Sequence, residues 1–412
     1  MSLDSIKKSL LTEIEAFEII DCHEHLGPEN KRTGSEVDVF NLFSHYTGGD
    51  MGVAGINEEN RKALFNQNIP LDYRWSIFEP YWENFRYTSY AQASLIAASK
   101  FYGADDINKN TYQAITDAMK KANTPGIYER VLRKACNIRT SLTMCDDPKV
   151  ISDTPLLTGL VSMPQIWDHQ NLNWLLHPVF DQDACIRSLD DYLDVGRNYI
   201  KTKKAEGAVG MKMVSNPFEA PDRQEAIRIF NNILFNGGKA EGITLRSYII
   251  DEMIKYCGQI DLPVAVHTGY WGDFRNLDPL HMIPMLQRHP NVKFDIFHLG
   301  YPWIRETIML GKSFPNVWLN LCWAHIISKK ATFEALDEII DTVPVNKILG
   351  FGGDYLPSAV EKVYGHLSIA RDNIAGVLAG RVAANHMTES QAITIAKKWL
   401  WDNPNELYKL GF

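Results

Sequence analysis

Two histidines one residue apart, His23 and His25, close a short apolar run that reads Glu-Ile-Ile-Asp-Cys-His-Glu-His over Glu18–His25. On an extended strand alternate side chains share a face, so the two imidazoles project together, with Asp21 below them. Two neutral imidazoles side by side are half of a divalent-metal site. Other residues capable of chemistry stand at later apolar runs. His267 ends Leu262–His267, His298 ends Val292–His298, and Asp354 follows Gly352 and Gly353 after Lys347–Phe351. Lys212 lies within Ala208–Val214, with Gly210 below it on the same face. Each has an ordinary explanation by itself: a hydrogen-bonded histidine, a helix-capping or turn aspartate, a lysine snorkelling to a rim. A single metal site accounts for all of them at once.

The elements that must position these residues recur with a regular beat. Strand-like runs lie at Ile19–His25, Asn137–Met144, Leu156–Met163, Ala208–Val214, Leu262–His267, Val292–His298, Val317–Cys322 and Lys347–Phe351. Helix-like segments alternate with them, at Asp183–Lys204, Asp222–Phe235, Arg246–Cys257, Pro279–Arg288, Ile304–Lys312 and Thr332–Asp341. Near-continuous apolar strands alternating with helices predict a parallel sheet covered on both faces, and eight such units favour a closed (β/α)8 TIM barrel. No Gly-x-Gly-x-x-Gly turn follows an early strand, which disfavours a dinucleotide fold. In such a barrel the chemistry belongs at the C-terminal strand ends, where these polar residues fall.

One barrel domain is expected over 1–412, with a helical insertion at about 40–134 after the first strand. Gly48, Gly49, Gly52 and Gly55 read as a flexible loop. The following stretch is rich in aromatics, Tyr73, Trp75, Phe78, Trp82, Phe85 and Tyr90 among them, at spacings that fit packing. Arg74 and Arg86 lie among these rings and could reach an anionic substrate or pair with Glu79 and Glu83. Tyr270, Trp271, Trp323 and His325 follow the fifth and seventh strands as candidate pocket walls. The tail from Leu367 is helical and ends in a cap around Trp399-Leu-Trp-Asp-Asn-Pro.

Hydrophobic residues make up 45% and charged residues 22%, the balance of a soluble globular protein. A net charge of −8 without a Lys/Arg cluster disfavours a nucleic-acid surface. The six cysteines, Cys22, Cys136, Cys145, Cys185, Cys257 and Cys322, form no Cys-x-x-Cys pair and suit buried, reduced thiols. The N-terminal residues up to Phe17 read as an amphipathic helix, not a signal peptide, and no run is long enough to span a bilayer. A cytoplasmic protein acting on a small molecule is expected, with a homo-oligomer open through the aromatic insertion.

The chain resembles the amidohydrolase superfamily, most closely its amidohydrolase-2 branch near the uronate isomerases. The carriers are Asp-Cys-His-Glu-His at His25, Val-His-Thr-Gly-Tyr-Trp-Gly-Asp at His267, Phe-His-Leu-Gly-Tyr-Pro at His298 and Phe-Gly-Gly-Asp-Tyr-Leu-Pro at Asp354. The last of these has Gly-Gly-Asp where Gly-Ser-Asp is commoner. The resemblance implies that His23, His25, His267 and Asp354 bind a divalent metal, zinc ahead of manganese and one ion ahead of two. It makes Asp354 catalytic, and His298 a further metal ligand in a two-metal site or a catalytic, substrate-directed acid in a one-metal site. Beside the resemblance, by their positions in the chain, Arg86, Tyr270, Trp271, Trp323 and His325 are candidate substrate contacts, with Lys212. In some branches a strand-four lysine is carboxylated and bridges two metals; one metal, with Lys212 facing the substrate, is the expectation here. A metal-activated water hydrolysing an amide, lactone or similar acid derivative is the leading function. A uronate isomerase-like or decarboxylase-like reaction on the same site is the alternative, and a non-catalytic binding protein is a third class.

Overall fold

The structure is a computed structural model that describes residues 2–164, 185–237 and 242–412. Eight parallel strands form one sheet in the order β1-β2-β3-β4-β5-β6-β7-β8. They are β1 Ile19–Glu24, β2 Ile138–Met144, β3 Leu157–Ser162, β4 Gly210–Val214, β5 Val264–His267, β6 Phe294–Ile296, β7 Val317–Asn320 and β8 Ile348–Leu349. The expected TIM barrel is the observed one. The expected helix from Asp183 begins outside the described residues, and its described part runs Leu189–Ala205.

The ring closes between β8 and β1. Strand β8 is short, but the chain stays extended beyond it, and Cys22 N donates to Phe351 O at 3.0 Å, Asp354 N to His23 O at 2.8 Å and His25 N to Tyr355 O at 3.1 Å. Gly352 and Gly353 permit this seam. A Cβ on Gly352 would lie 2.4 Å from Cys322 Cβ, and one on Gly353 2.0 Å from Glu24 Oε1. The close approach these glycines permit is to the barrel wall itself.

Two runs end earlier than their hydrophobicity suggests. The run to His298 leaves the sheet after Ile296, and His298 and Leu299 adopt left-handed φ of 63° and 51°. The run to Cys322 ends at Asn320, and Trp323 is likewise left-handed, with φ 62°. In both, apolar residues continue past the strand because the turn is buried as deeply as the strand.

The bottom of the barrel is filled by the C-terminal tail. Leu407 and Tyr408 join Cys22, Leu142, Leu160, Ala265, Phe297, Cys322 and Leu349 in the inner core. The Tyr408 hydroxyl donates to Asp295 Oδ2 at 2.6 Å, and Asn320 Nδ2 donates to the same oxygen at 2.9 Å. Trp399 O accepts Gly350 N, and Asn403 Nδ2 donates to Val345 O and Ile348 O, so the expected cap is a plug under β8. The N-terminal helix, Leu3–Ala16, buries Ile6, Leu10 and Ile14 and packs on the long helix Glu361–Ala383.

The insertion is helical, with helices Thr47–Val53, Glu58–Leu64, Leu71–Phe85, Ser89–Tyr102 and Tyr112–Ala122 around their own core of Phe40, Phe43, Trp75, Phe78, Trp82 and Phe85. The glycine-rich loop expected at 40–55 is instead a 3-10 turn, Val39–Phe43, followed by the helix that contains Gly48, Gly49 and Gly52. Each interior glycine costs a helix about 1 kcal/mol, and burial of Thr47 and Met51 under the insertion overrides that local preference. Arg74 pairs with Asp38 at 2.7 Å rather than with Glu79, both side chains being buried.

Insertion and barrel meet where Glu361–Ala383 crosses Ser89–Tyr102. A Cβ on Gly365 would lie 2.0 Å from Ala93 O, whereas one on Gly380 of the same helix meets nothing within 4 Å. Gly365→Ala should therefore destabilise by about 1–3 kcal/mol through overpacking, and Gly380→Ala should stabilise slightly through helix propensity. Thermal melts of the two variants should shift in opposite directions; a neutral Gly365→Ala would show that this contact is loose.

Candidate metal centre

Strand β1 and the seam bring three of the expected ligands into one group. The ligand atoms of His23, His25 and Asp354 all lie within 4.8 Å of one another. Both imidazoles turn Nε2 to the same carboxylate oxygen: His23 Nε2 is 3.2 Å and His25 Nε2 3.3 Å from Asp354 Oδ1. His23 and Asp354 are buried, while His25 is 42% exposed and faces the opening. Asp354 has a left-handed φ of 62°, a conformation that aspartate tolerates better than most residues and that aims its side chain back at β1.

Burial would raise the Asp354 pKa, but the neighbouring His23 and His25 hold it well below the ordinary carboxylate range. Burial, and then the Lys212 charge, hold His23 well below the usual histidine value, so its imidazole is neutral. An ionised carboxylate with two imidazole nitrogens is a donor set for a divalent cation.

Beneath the group, Asp21 and Glu24 tie the ligands to the barrel wall. Asp21 Oδ1 accepts from His23 N at 3.2 Å and Gly353 N at 3.1 Å, and Glu24 Oε2 accepts from Tyr355 N at 2.5 Å. Burial pushes the Asp21 carboxyl up to about 7 and Glu24 well above its usual range, which favours a protonated member of the pair.

His267 and His298 form a second, adjoining pair. His298 Nδ1 donates to Cys322 O at 3.0 Å, which leaves Nε2 to accept from His267 Nδ1 at 2.9 Å. Burial pushes His298 down to about 4 and His267 well below the usual value, so both rings are neutral. In that tautomer His267 Nε2 carries a lone pair, and this buried atom has no hydrogen-bond partner. His267, expected as a ligand with His23, His25 and Asp354, stands outside their close group, though its unpartnered nitrogen is chemically suited to a cation. His298 Nε2 stands 3.9 Å from Asp354 Oδ2.

Lys212 points into the same space from β4. Its Nζ lies 3.3 Å from His23 Nε2 and 3.8 Å above the Phe297 ring. Burial lowers its pKa to about 8, against the pull of Asp354, so charged and neutral forms are both accessible near neutrality.

The other expected substrate residues divide. Trp323 is buried beside His298, with ring centroids 5.1 Å apart, and Trp271 stands 5.3 Å from the His267 ring with much of its surface exposed. Tyr270, also exposed, lies 5.9 Å from Trp323 and completes an aromatic rim. His325 is instead fully buried, with Nε2 on Gly350 O at 3.0 Å and Nδ1 facing Asn373 Nδ2 at 3.2 Å, a bracing position. Arg86 is engaged by Glu83 at 2.6 Å and Asp106 at 2.5 Å, and its guanidinium lies over Trp82.

Two site residues carry no signal in the sequence. The insertion delivers His45 and Tyr46 beside the metal group. The Tyr46 ring stacks on Trp323 at 4.4 Å and lies 6.1 Å from Tyr355, the residue after Asp354. Burial, with the Asp354 charge, pushes the Tyr46 pKa well up, so it stays a proton donor. Burial pushes His45 down to about 4, and its Nδ1 is buried without a partner. A His-Tyr pair before two glycines, far along the chain from any strand, offers no periodicity or spacing by which to find it.

Comparison with known proteins follows this geometry. A family model described as Amidohydrolase matches residues 197–410. Among solved structures, a glucuronate isomerase from Caulobacter crescentus superposes with a TM-score of 0.82 at 18% identity, covering 100% of this chain and 95% of that one. A uronate isomerase from Thermotoga maritima gives 0.80 at 15% identity, covering 98% and 97%. A provisionally named metal-dependent hydrolase from Lactobacillus casei gives 0.66 at 16% identity, covering 97% of each chain. Protein fluG of Emericella nidulans is 29% identical over 158 residues, 37% of this chain, and the match spans only 18% of that protein's length. At these identities the solved structures establish the fold.

If Lys212 faces substrate and does not bridge two ions, purified protein should hold one equivalent of divalent metal per chain. His23→Ala with His25→Ala should abolish that binding, and Lys212→Met should leave it intact while removing turnover. Elemental analysis showing two equivalents, both lost on Lys212→Met, would identify a carboxylated bridging lysine instead.

Proposed function

Because the chain belongs to the amidohydrolase family, we propose that this metal-dependent enzyme isomerises a small sugar acid, exchanging a carbonyl and a hydroxyl on adjacent carbons. The observation that carries this reading is that the insertion packs the His45 and Tyr46 rings 6.3 and 6.1 Å from Tyr355, the residue after Asp354, and stacks Tyr46 on Trp323 at 4.4 Å. Hydrolysis needs an activated water and a proton for the leaving group. Isomerisation also needs a base for a carbon-bound proton and a donor for the carbonyl oxygen that becomes a hydroxyl. The likeness to two uronate isomerases covers nearly the whole chain and therefore the insertion as well.

His23, His25 and Asp354 would hold the divalent ion, with His267 Nε2 as a further donor. When bound, the ion would polarise the oxygens between which the carbonyl moves. His45, neutral at pH 7, takes the proton from the hydroxyl-bearing carbon and returns it to the neighbouring one. The Tyr46 hydroxyl donates to the carbonyl oxygen, and the Asp354 carboxylate accepts the proton of the hydroxyl that becomes a carbonyl. Lys212 supplies the positive charge for the substrate carboxylate or for an oxygen that gains negative charge. Trp323 and the Tyr270–Trp271 rim wall the site against water.

Hydrolysis of an amide or lactone is the second reading. It is favoured by the ionised Asp354 within the ligand group, which could take a proton from an attacking water, and by the hydrolase-named structure among the neighbours.

Incubation with glucuronate and related uronates in D2O separates the two. The expected outcome is a keto isomer carrying solvent deuterium next to the new carbonyl, with turnover lost on chelation and restored by zinc or manganese. His45→Ala and Tyr46→Phe should each lower kcat by about 10²–10⁴-fold, the usual worth of a positioned acid or base. Cleavage of amides or lactones without isomerisation of any uronate would establish the hydrolytic reading.

A further inference from the structure

We propose that Lys362 is a positioning residue, whose side chain, in the seam between barrel and insertion, holds the Ser44–Thr47 turn so that His45 and Tyr46 stand over Asp354. For its bearing on turnover the inference rests on the isomerase reading; its geometry does not. Lys362 lies in the first turn of Glu361–Ala383, shortly after Asp354 in the chain. Its Nζ donates to Ser44 O at 3.3 Å and to Thr47 Oγ1 at 3.0 Å, the residues on either side of the His45–Tyr46 pair. The side chain is fully buried and passes 5.2 Å from the ring of Tyr355, the residue after Asp354.

Among the described residues, no other hydrogen bond from the barrel side reaches Ser44 O or Thr47 Oγ1; the remaining barrel contacts of the turn are ring contacts, Tyr46 on Trp323 at 4.4 Å and His45 6.3 Å from Tyr355. Asn41 Nδ2 donates to Ser358 O at 3.2 Å and pins the chain before it, and Glu361 pins more distant parts of the insertion through Arg32 at 2.6 Å and Tyr102 at 2.5 Å. His45 needs such a restraint, because its φ of +65° is sparsely populated outside glycine and persists only where neighbours enforce it. The counter-charge for Lys362 is Asp50, on the helix that the same turn begins, and Asp50 is held by the Thr88 hydroxyl at 2.6 Å. A buried ammonium is a costly way to bind a carbonyl and a hydroxyl, and burial pushes its pKa down to about 7. That cost is consistent with a placement whose benefit lies in the site above it.

The test uses the full-length, metal-loaded protein and the Lys362→Met variant. Hydrogen exchange should accelerate at residues 43–50 and stay unchanged in the barrel strands, with metal content per chain preserved. On a uronate that turns over, kcat should fall about tenfold or more while KM changes less than about twofold, the pattern of an interaction that matters only in the transition state. Because Lys362 acts through His45 and Tyr46, adding Lys362→Met to His45→Gln should cost several-fold less than Lys362→Met costs alone. Lys362→Gln, which retains a donor, should recover part of the lost rate and serves as the test variant if Lys362→Met does not fold. Unchanged exchange at 43–50, an intact kcat, or losses that multiply in the double variant would overturn the proposal. If no uronate turns over, the isomerase reading fails on its own, and the exchange measurement still decides whether Lys362 holds the turn.

Discussion

The backbone hydrogen bonds that close the barrel also build its site. Asp354 N donates to His23 O and His25 N to Tyr355 O, so the two segments that carry His23, His25 and Asp354 are hydrogen-bonded to each other along the β1–β8 seam. Geometry that would otherwise need many side-chain restraints is thereby inherited from the barrel. The glycines before Asp354 make this approach sterically possible, and the buried Asp21 and Glu24 carboxyls receive the backbone donors that the seam turns inward. Burying two acids that close together is costly unless they accept hydrogen bonds and a proton is retained. The structure satisfies the first condition directly, and the raised pKa values meet the second.

Around this seam, charge is buried in proportion to how much must be held in place. Arg32 and Glu361 form a fully buried pair joined by Tyr102, and Arg74 and Asp38 form another inside the insertion. Removing one member of such a pair typically costs about 3–5 kcal/mol, because the other is left uncompensated. These contacts explain how an insertion with its own aromatic core can still set the position of two side chains at the barrel mouth. At the opposite end Tyr408 and Asp295 close the barrel from below, filling the space left by Gly210, where a Cβ would lie 3.1 Å from the tyrosine ring. The barrel interior below Lys212 is therefore packed by Tyr408 and Asp295.

The relation between the two histidine groups is electrostatic as much as geometric. His23 and His25 meet a carboxylate that their presence keeps ionised, while His267 and His298 are neutral rings whose tautomers descend from one carbonyl, that of Cys322. An anion and unprotonated imidazoles are what a metal requires of its ligands.

Much of this was legible in the sequence, and the division follows a physical line. The alternation of apolar strands and helices determined the barrel, because parallel strands buried on both faces must be apolar throughout. The period of two along β1, and the rule that barrel chemistry lies at C-terminal strand ends, were enough to select His23, His25, His267, His298, Lys212 and Asp354. Where strands stop was not legible at His298 or Cys322, since buried turns are as hydrophobic as the strands they follow. The helix at Thr47–Val53 was hidden by glycines whose local preference tertiary burial overrides. Only the tertiary structure decided that Arg86 and His325 are engaged by Asp106 and Gly350, and that His45 and Tyr46 join the site. Periodicity reports which face of an element is buried. It carries no record of contacts between residues hundreds of positions apart, such as the bonds from Lys362 to Ser44 and Thr47, which join the barrel to the turn that carries His45 and Tyr46.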